Sequence, residues 1–231
     1  MRRKTTAVRI GNVVLSSEEP VLVQSMLNTS TREVDACVEQ AIRIIEAGGR
    51  LVRITAPGVK EAEMLGEIHR RLRERGYTTP ISADIHFVAE AASVAARYVE
   101  KVRINPGNFA DKRATFKKLT YTDEEYAAEL EILRQKFTEF LEVCRQYGTA
   151  VRIGTNHGSL SDRIMSRYGD TPAGMVEATM EYLRVCQACD FKDVVISLKS
   201  SDCRTMVDAV RLLVEKMEAE GMCYPLHLGV T

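Results

Sequence analysis

Three short apolar runs in this sequence each carry one arginine between a valine and an isoleucine: LVRIT, KVRIN and AVRIGTN. The arginines are Arg53, Arg103 and Arg152. Side chains alternate between the two faces of a β-strand, so valine and isoleucine share one face and arginine takes the other. Lys199, which ends the run VVISLK, follows the same alternation. If the valine and isoleucine face packs beneath helices, all four cations point to the opposite side.

Four converging cations need anions. Burying one unpaired cation costs several kcal/mol, and two cations ~8 Å apart repel by about 2 kcal/mol at an effective dielectric of ~20. Asp84, near the end of another predicted strand, can neutralise part of this charge. For any one arginine alone, an ion pair near the strand end is the simpler interpretation. The four together predict a site for a multiply charged anion, because arginine forks match phosphate oxygens.

Arg9 lies in AVRIGN, which repeats the AVRIG of Arg152. Two alternating runs flank Gly11-Asn12 here, which predicts a β-hairpin that precedes the first strand of the sheet. We therefore expect Arg9 to be exposed and to have no part in the anion site.

Other polar residues fall at predicted strand ends. We expect Asp84, His86, Asn105 and Asn156 to join the site. Gln24, Ser25, His157, His227 and Thr231 occupy comparable positions without an assigned role. A single histidine more often serves structure than chemistry, and we expect His69, in the basic helical run HRRLRER, to lie on the surface.

The elements that position these residues alternate between strand and helix patterns. Strands are predicted at 21–26, 50–55, 80–85, 101–105, 150–154, 193–199 and 225–230, and helices at 32–47, 58–75, 87–97, 123–147, 172–189 and 202–219. Buried strands joined by helices indicate a parallel sheet. We predict an α/β fold, a TIM-type (β/α)₈ barrel truncated after about seven strands, with an N-terminal β-hairpin that closes its bottom. The predicted units are the hairpin, 1–19, and the incomplete barrel, 20–231. Cations near the carboxyl ends of barrel strands occupy the mouth where barrel enzymes do chemistry.

Composition excludes some classes. Lys and Arg number 32, as do Asp and Glu, which argues against a nucleic-acid surface. No apolar run reaches the ~18 residues of a membrane span, and the basic start lacks an apolar signal region, so we expect a cytoplasmic protein. The six cysteines are expected to be reduced. We interpret the pair Cys186 and Cys189 as helix residues, since no second ligand pair for a metal accompanies it.

Seven strings carry a family resemblance: VLVQSM, LVRIT, ADIHF, VRINPGN, VRIGTNHGSLSDRI, VVISLKSSD and PLHLGVT. They resemble the 4-hydroxy-3-methylbut-2-enyl diphosphate synthases of the methylerythritol phosphate route to isoprenoids, from about residue 5 to the last residue. The stretch NPGNFADKRATFKKLTYTDEEY is similar to the three-domain form of plants and some bacteria.

The resemblance implies an oxidoreductase that reductively opens 2-C-methyl-D-erythritol 2,4-cyclodiphosphate to the linear allylic diphosphate, with loss of water. It implies a 4Fe–4S cluster in a separate C-terminal domain, ferredoxin or flavodoxin as electron donor, and a possible homodimer. The family's diphosphate-binding cations map onto Arg53, Arg103, Arg152 and Lys199, and its other polar mouth positions onto Asp84, His86, Asn105 and Asn156.

One departure limits what is carried over. The family's cluster cysteines lie in a domain that this sequence does not contain, so none of its six cysteines inherits that role, and the inserted middle domain is also missing. We therefore expect an amino-terminal fragment that binds the cyclic diphosphate weakly and does not turn it over.

Two alternatives stay open. The first is a phosphate-binding barrel of the dihydropteroate synthase kind, which would bind a pterin and need no cluster. The second is a non-catalytic interaction module, because an unclosed barrel exposes strand edges and apolar surface.

Overall fold

The computed structural model describes residues 2–86, 88–110 and 120–229. Its strands are β1 Val8–Ile10, β2 Val13–Leu15, β3 Gln24–Met26, β4 Leu51–Thr55, β5 Ile81–Asp84, β6 Lys101–Ile104, β7 Ala150–Asn156 and β8 Val194–Lys199. Its helices are α1 Val34–Glu46, α2 Val59–Glu74, α3 Ala89–Ala95, α4 Pro106–Phe109, α5 Asp123–Tyr147, α6 Asp162–Tyr168, α7 Pro172–Ala188 and α8 Cys203–Ala219. None of the described helices combines the length and apolarity needed to cross a membrane.

Six strands form one sheet in the order β3-β4-β5-β6-β7-β8, and every neighbouring pair is parallel. Sequential parallel order with a helix between most strands is the arrangement of a barrel wall. The predicted α/β class and truncated barrel are confirmed.

The alternation of side chains places helices on one side of this wall. Val52, Val102 and Val151 are fully buried in the large apolar core that the helices share. Leu51, Ala150 and Val195 have the opposite parity, and they join a second, smaller cluster on the inner side of the wall. The inner side is therefore apolar at the amino ends of β4, β7 and β8.

The hairpin of β1 and β2 supplies the rest of that second cluster. The two strands pair antiparallel, and Val8, Ile10 and Val13 pack against the inward residues at the amino ends of β4, β7 and β8. The hairpin thus closes the bottom of the wall, as the sequence predicts. Arg9 alternates to the other face and is exposed, which confirms that prediction.

Helix ends follow their sequence signals. Thr122 and Glu125 form a reciprocal capping box at the start of α5. Gly148 ends that helix with φ +67°, where a residue with a Cβ would be strained. Two short helices, α4 and α6, were not predicted, because each has only one or two turns of pattern.

The seventh predicted strand, 225–230, is wrong as a full strand. Leu226 makes one parallel bridge with Ile196, and two backbone hydrogen bonds support it, from Ile196 to the Pro225 carbonyl at 3.0 Å and from His227 to the Ile196 carbonyl at 2.7 Å. The segment has β8 on one side and, among the described residues, no strand on the other. Residues 230 and 231 lie outside the described residues.

The first strand of the sheet is also shorter than predicted. It begins at Gln24 rather than at 21, and Val21 and Val23 are 78% and 58% exposed. β3 is an edge strand, so half of its backbone lacks a partner in the sheet. Apolar residues that predict a buried strand here lie on an open edge.

Candidate functional site

Three of the predicted site residues lie side by side across neighbouring strands. Asp84 on β5 is the register partner of Arg103 on β6, and Arg103 is the partner of Arg152 on β7. Arg53 on β4 pairs with Ser82, two residues before Asp84 on the same face. The cations therefore line the inner side of the wall above the apolar cluster, as alternation predicts.

Asp84 is the acceptor on which they converge. Its side chain is 1% exposed and contacts Arg53. Arg103 Nη1 lies 3.2 Å from Asp84 Oδ1, and His86 Nε2 lies 3.0 Å from Asp84 Oδ2. Arg152 is farther away, with Nη2 3.9 Å from Oδ1. Burial alone would raise the pKa of Asp84, but the hydrogen bond from His86 and the charges of Arg103 and Arg53 outweigh it and lower that pKa. Asp84 is therefore ionised.

One carboxylate does not neutralise this cluster. Among the described residues, Asp84 is the one acid near these arginines: it contacts Arg53 and Arg103 directly and lies 3.9 Å from Arg152. The Nε atom of each arginine is buried without a hydrogen-bond partner. Burial, and then the charges of Arg53 and Arg103, lower the pKa of Arg152 to about 9. The site keeps an excess of positive charge and unused donors, the arrangement that a bound anion would stabilise.

Gly154 lets one cation approach the backbone. Arg103 Nη2 donates to the Gly154 carbonyl at 2.8 Å. A Cβ at position 154 would lie 2.5 Å from Arg103 Nε, so any larger residue would displace the guanidinium. The glycine in AVRIGTN thus has a packing reason that the sequence alone does not reveal.

Lys199 and His86 lie at the edge of this cluster. Burial and the charge of Arg152 lower the pKa of Lys199, which is half-buried at the end of β8. His86 Nδ1 lies 3.1 Å from Arg103 Nη1, so this ring nitrogen accepts while Nε2 donates to Asp84. Of the eight predicted residues, six are brought together: Arg53, Asp84, His86, Arg103, Arg152 and Lys199.

The two asparagines differ from that group. Asn105 caps α4 by accepting from the Gly107 amide at 3.2 Å, and its side-chain amide donates to Ser159 Oγ at 3.0 Å. Its polar atoms therefore serve the loop beside the mouth. Asn156 ends β7 as the register partner of Lys199 and is half-buried. Ligand contact by these two residues, as by the other six, stays a prediction.

Sequence analysis missed Lys101. It precedes Arg103 by two residues, so alternation places it on the same face, one step nearer the bottom. The side chain is 2% exposed, and Nζ donates to Gln24 Oε1 at 3.2 Å. Burial, and then the charges of Arg152 and Arg53, lower the pKa of Lys101 well below its usual value. The parity signal was present in KVRIN, but a lysine at the start of a strand is usually exposed.

His69 was predicted to lie on the surface; it is half-buried there, in contact with Glu100. Its ring is 27% exposed, and Nε2 lies 2.9 Å from Glu100 Oε1. Arg73, one helical turn on, bonds the same carboxylate at 2.8 Å. The basic run therefore pairs with acids on two sides of the helix. Arg70 and Arg71 pair with Glu67 within α2, whereas His69 and Arg73 pair with Glu100.

The cysteines of this chain do not fit an iron–sulfur cluster. Cys186 lies in α7 and Cys189 caps it, as predicted. Burial raises the pKa of Cys144 and Cys186, which disfavours the thiolates that a cluster needs. Among the described residues, no three His, Cys, Asp or Glu side chains form a group that could hold a metal.

Two relatives illustrate the similarity of this chain to known proteins. The chain is 60% identical over 230 residues to 4-hydroxy-3-methylbut-2-en-1-yl diphosphate synthase (flavodoxin) of Parabacteroides distasonis, covering 100% of this chain and 38% of that protein. It is 49% identical over 231 residues to the chloroplastic, ferredoxin-named synthase of Arabidopsis thaliana, covering 100% and 31%. The chain thus spans about a third of the length of these relatives.

Solved structures of distant proteins share the fold. One is the N-acetylneuraminic acid synthetase of Leptospira borgpetersenii, with TM-score 0.55 and 10% identity over 98% of this chain and 70% of that one. At such identity the likeness concerns the fold alone. The GcpE TIM-barrel domain model matches residues 5–231, and the chain belongs to that family.

Proposed function

We propose that this chain is the substrate-binding barrel of an enzyme that reductively opens 2-C-methyl-D-erythritol 2,4-cyclodiphosphate to 4-hydroxy-3-methylbut-2-enyl diphosphate. The observation that carries the proposal is the buried group of Arg53, Arg103 and Arg152. Among the residues that the structure describes, Asp84 is the one carboxylate beside this group. A diphosphate supplies the missing negative charge and the acceptors for the unused guanidinium donors.

The residues have separable tasks. Arg103 is fixed by Asp84 and by the Gly154 carbonyl, so its orientation is set before a ligand arrives. Among the described residues, no carboxylate lies within hydrogen-bond distance of Arg152 or Lys199. A ligand anion would therefore be their main ionic partner. A cation whose orientation is set before the ligand binds stabilises an anion without reorganisation at the moment of reaction.

Electron transfer depends on parts of the enzyme outside this chain. The relatives' names specify flavodoxin in one case and ferredoxin in the other. We propose one of these as donor and a 4Fe–4S cluster in another domain. The cytoplasmic location and the homodimer stay predictions.

Family membership and identity over the whole chain favour this proposal over a pterin-binding barrel. The direct test is calorimetric titration of the cyclic diphosphate into the chain, after circular dichroism shows that it is folded. We expect weak binding. Arg152→Met should lower affinity by about tenfold or more, the value of a charge-assisted hydrogen bond, because a buried cation and its donors are lost.

Arg9→Met is the matched control, since Arg9 occupies the same sequence motif but is exposed on the hairpin. It should leave affinity unchanged. Equal losses in both variants would contradict the proposed site, and binding of a pterin in place of the cyclic diphosphate would support the alternative barrel.

A further inference from the structure

His227 lies on the segment 225–229, which comes after α8 in the chain and runs beside β8. Its backbone amide donates to the Ile196 carbonyl at 2.7 Å, which fixes the residue beside β8. From there its ring reaches β7, where Arg152 Nη1 lies 3.1 Å from His227 Nδ1. Arginine has no acceptor, so Nδ1 accepts and the ring proton lies on Nε2.

Arg152 has few other contacts that fix its direction. Its Nη2 is 3.9 Å from Asp84, beyond hydrogen-bond distance, and its Nε is buried without a partner. Among the described residues, the bond to His227 is therefore the one hydrogen bond of this guanidinium. Arg53 and Arg103, by contrast, both contact Asp84 directly.

We propose that His227 is a positioning residue for Arg152, a neutral acceptor that orients the guanidinium in the anion site without cancelling its charge. This inference rests on the proposed function, because it assigns His227 a role in diphosphate binding.

The surroundings keep the ring neutral. The charges of Arg152, Lys199, Lys101 and Arg53 all disfavour a protonated His227 ring. Burial, and then the charges of Arg152 and Lys199, lower the pKa of His227 to about 3. The ring therefore remains an acceptor across the physiological pH range.

A carboxylate at position 227 would hold Arg152 more firmly. It would also add a second negative charge to the site, where Asp84 is the one carboxylate among the described residues. The affinity for an anionic ligand would fall as a result. Histidine thus separates orientation from charge, and this separation can be tested by substitution.

The test uses the full-length protein, with inorganic pyrophosphate and the cyclic diphosphate as calorimetric probes. Asparagine places a neutral oxygen near the position of Nδ1, so His227→Asn should bind both probes within about threefold of wild type. His227→Leu, which removes the acceptor, and His227→Asp, which adds charge, should each weaken binding by about tenfold or more. Leu228→Asn, on the neighbouring exposed residue, is the control for disturbance of the segment.

A double-mutant cycle with Arg152→Lys asks whether His227 acts through Arg152. The loss caused by His227→Leu should shrink to about threefold or less in that background, because the oriented guanidinium is already gone. An undiminished loss would overturn the inference, as would equal losses in the asparagine and leucine variants or no loss in either.

The remaining outcomes are also decisive. If the leucine variant fails to fold, the comparison of His227→Asn with His227→Asp still decides, since the two differ in charge and hardly in shape. Equal binding by that pair would overturn the inference. If wild type binds neither probe, the proposed function fails and the inference fails with it.

Discussion

At the scale of single residues, Asp84 determines whether the cation group is tolerable in the absence of ligand. It is 1% exposed and contacts Arg53, Arg103 and His86. Removal of one partner from a buried ion pair costs about 3–5 kcal/mol, because the other charge stays buried and unpaired. We expect Asp84→Asn to lower the free energy of unfolding by that amount in urea titrations.

Asp35→Asn is the control, since Asp35 pairs with Arg71 on the surface and is 83% exposed. A solvent-exposed pair contributes about 0–1 kcal/mol. Pyrophosphate should restore part of the stability of Asp84→Asn, because it supplies negative charge to the same arginines. Similar losses in the two variants would show that Asp84 does not neutralise the cluster.

The acid dependence of stability follows from the same residue. The folded-state pKa of Asp84 is lower than its unfolded value, so its contribution is fully present above the unfolded pKa, about 4, and is lost as pH falls towards the folded pKa. The urea midpoint of wild type should therefore fall more steeply below about pH 4 than that of Asp84→Asn.

At this scale, the alternation of side chains along strands predicted which face each cation takes, but it did not predict the contacts that the cations make. It placed Arg53, Arg103, Arg152 and Lys199 on one face from their position in strands. It did not show that Asp84 contacts two of the arginines directly, or that Asn105 bonds Gly107 and Ser159 instead. Those contacts depend on the register between strands, which no single strand specifies.

At the scale of elements, the hairpin of β1 and β2 closes the bottom of the barrel wall. Ile10 is fully buried against the amino ends of the strands. We expect Ile10→Ala to lower the free energy of unfolding by about 2–5 kcal/mol, the usual range for such a core truncation. Unfolding curves in urea should show one transition if the hairpin and the wall unfold together.

Val14→Ala provides the comparison, because Val14 lies on the outer face of the hairpin and is 38% exposed. Its effect should stay within about 0.5 kcal/mol. Binding of the cyclic diphosphate should survive Ile10→Ala at low temperature, since the hairpin lies at the opposite end of the strands. An early separate transition would instead show that 1–19 behaves as a unit of its own.

Helices were predicted well where their ends carry local chemistry. The capping box at Thr122 and the proline after Thr171 fix the starts of α5 and α7 within the chain segment itself. The strands at the two ends of the sheet, β3 and the segment 225–229, were predicted too long. Strand pairing needs a neighbour from elsewhere in the chain, and a local pattern cannot reveal that the neighbour is missing.

At the scale of the whole molecule, no pairing among the described residues joins β3 to the segment 225–229, and this leaves an open seam in the sheet. A cavity of about 530 Å³ lies there, lined by Leu22 and Gln24, by His227 and Leu228, and by residues of the amino-terminal stretch that include Leu15. Val23 and Leu228 are 58% and 63% exposed. An unpaired strand edge beside exposed apolar side chains favours association with another chain.

We therefore expect the isolated chain of 231 residues to associate reversibly, with an average mass in sedimentation velocity that rises with concentration. Val23→Lys should shift the protein towards monomer, because a charge next to an open edge opposes strand pairing. Val207→Lys, on the surface of α8 and 38% exposed in wild type, should leave the mass distribution unchanged. A chain that is monomeric at every concentration would show that the seam does not mediate self-association. It would also count against the interaction-module alternative.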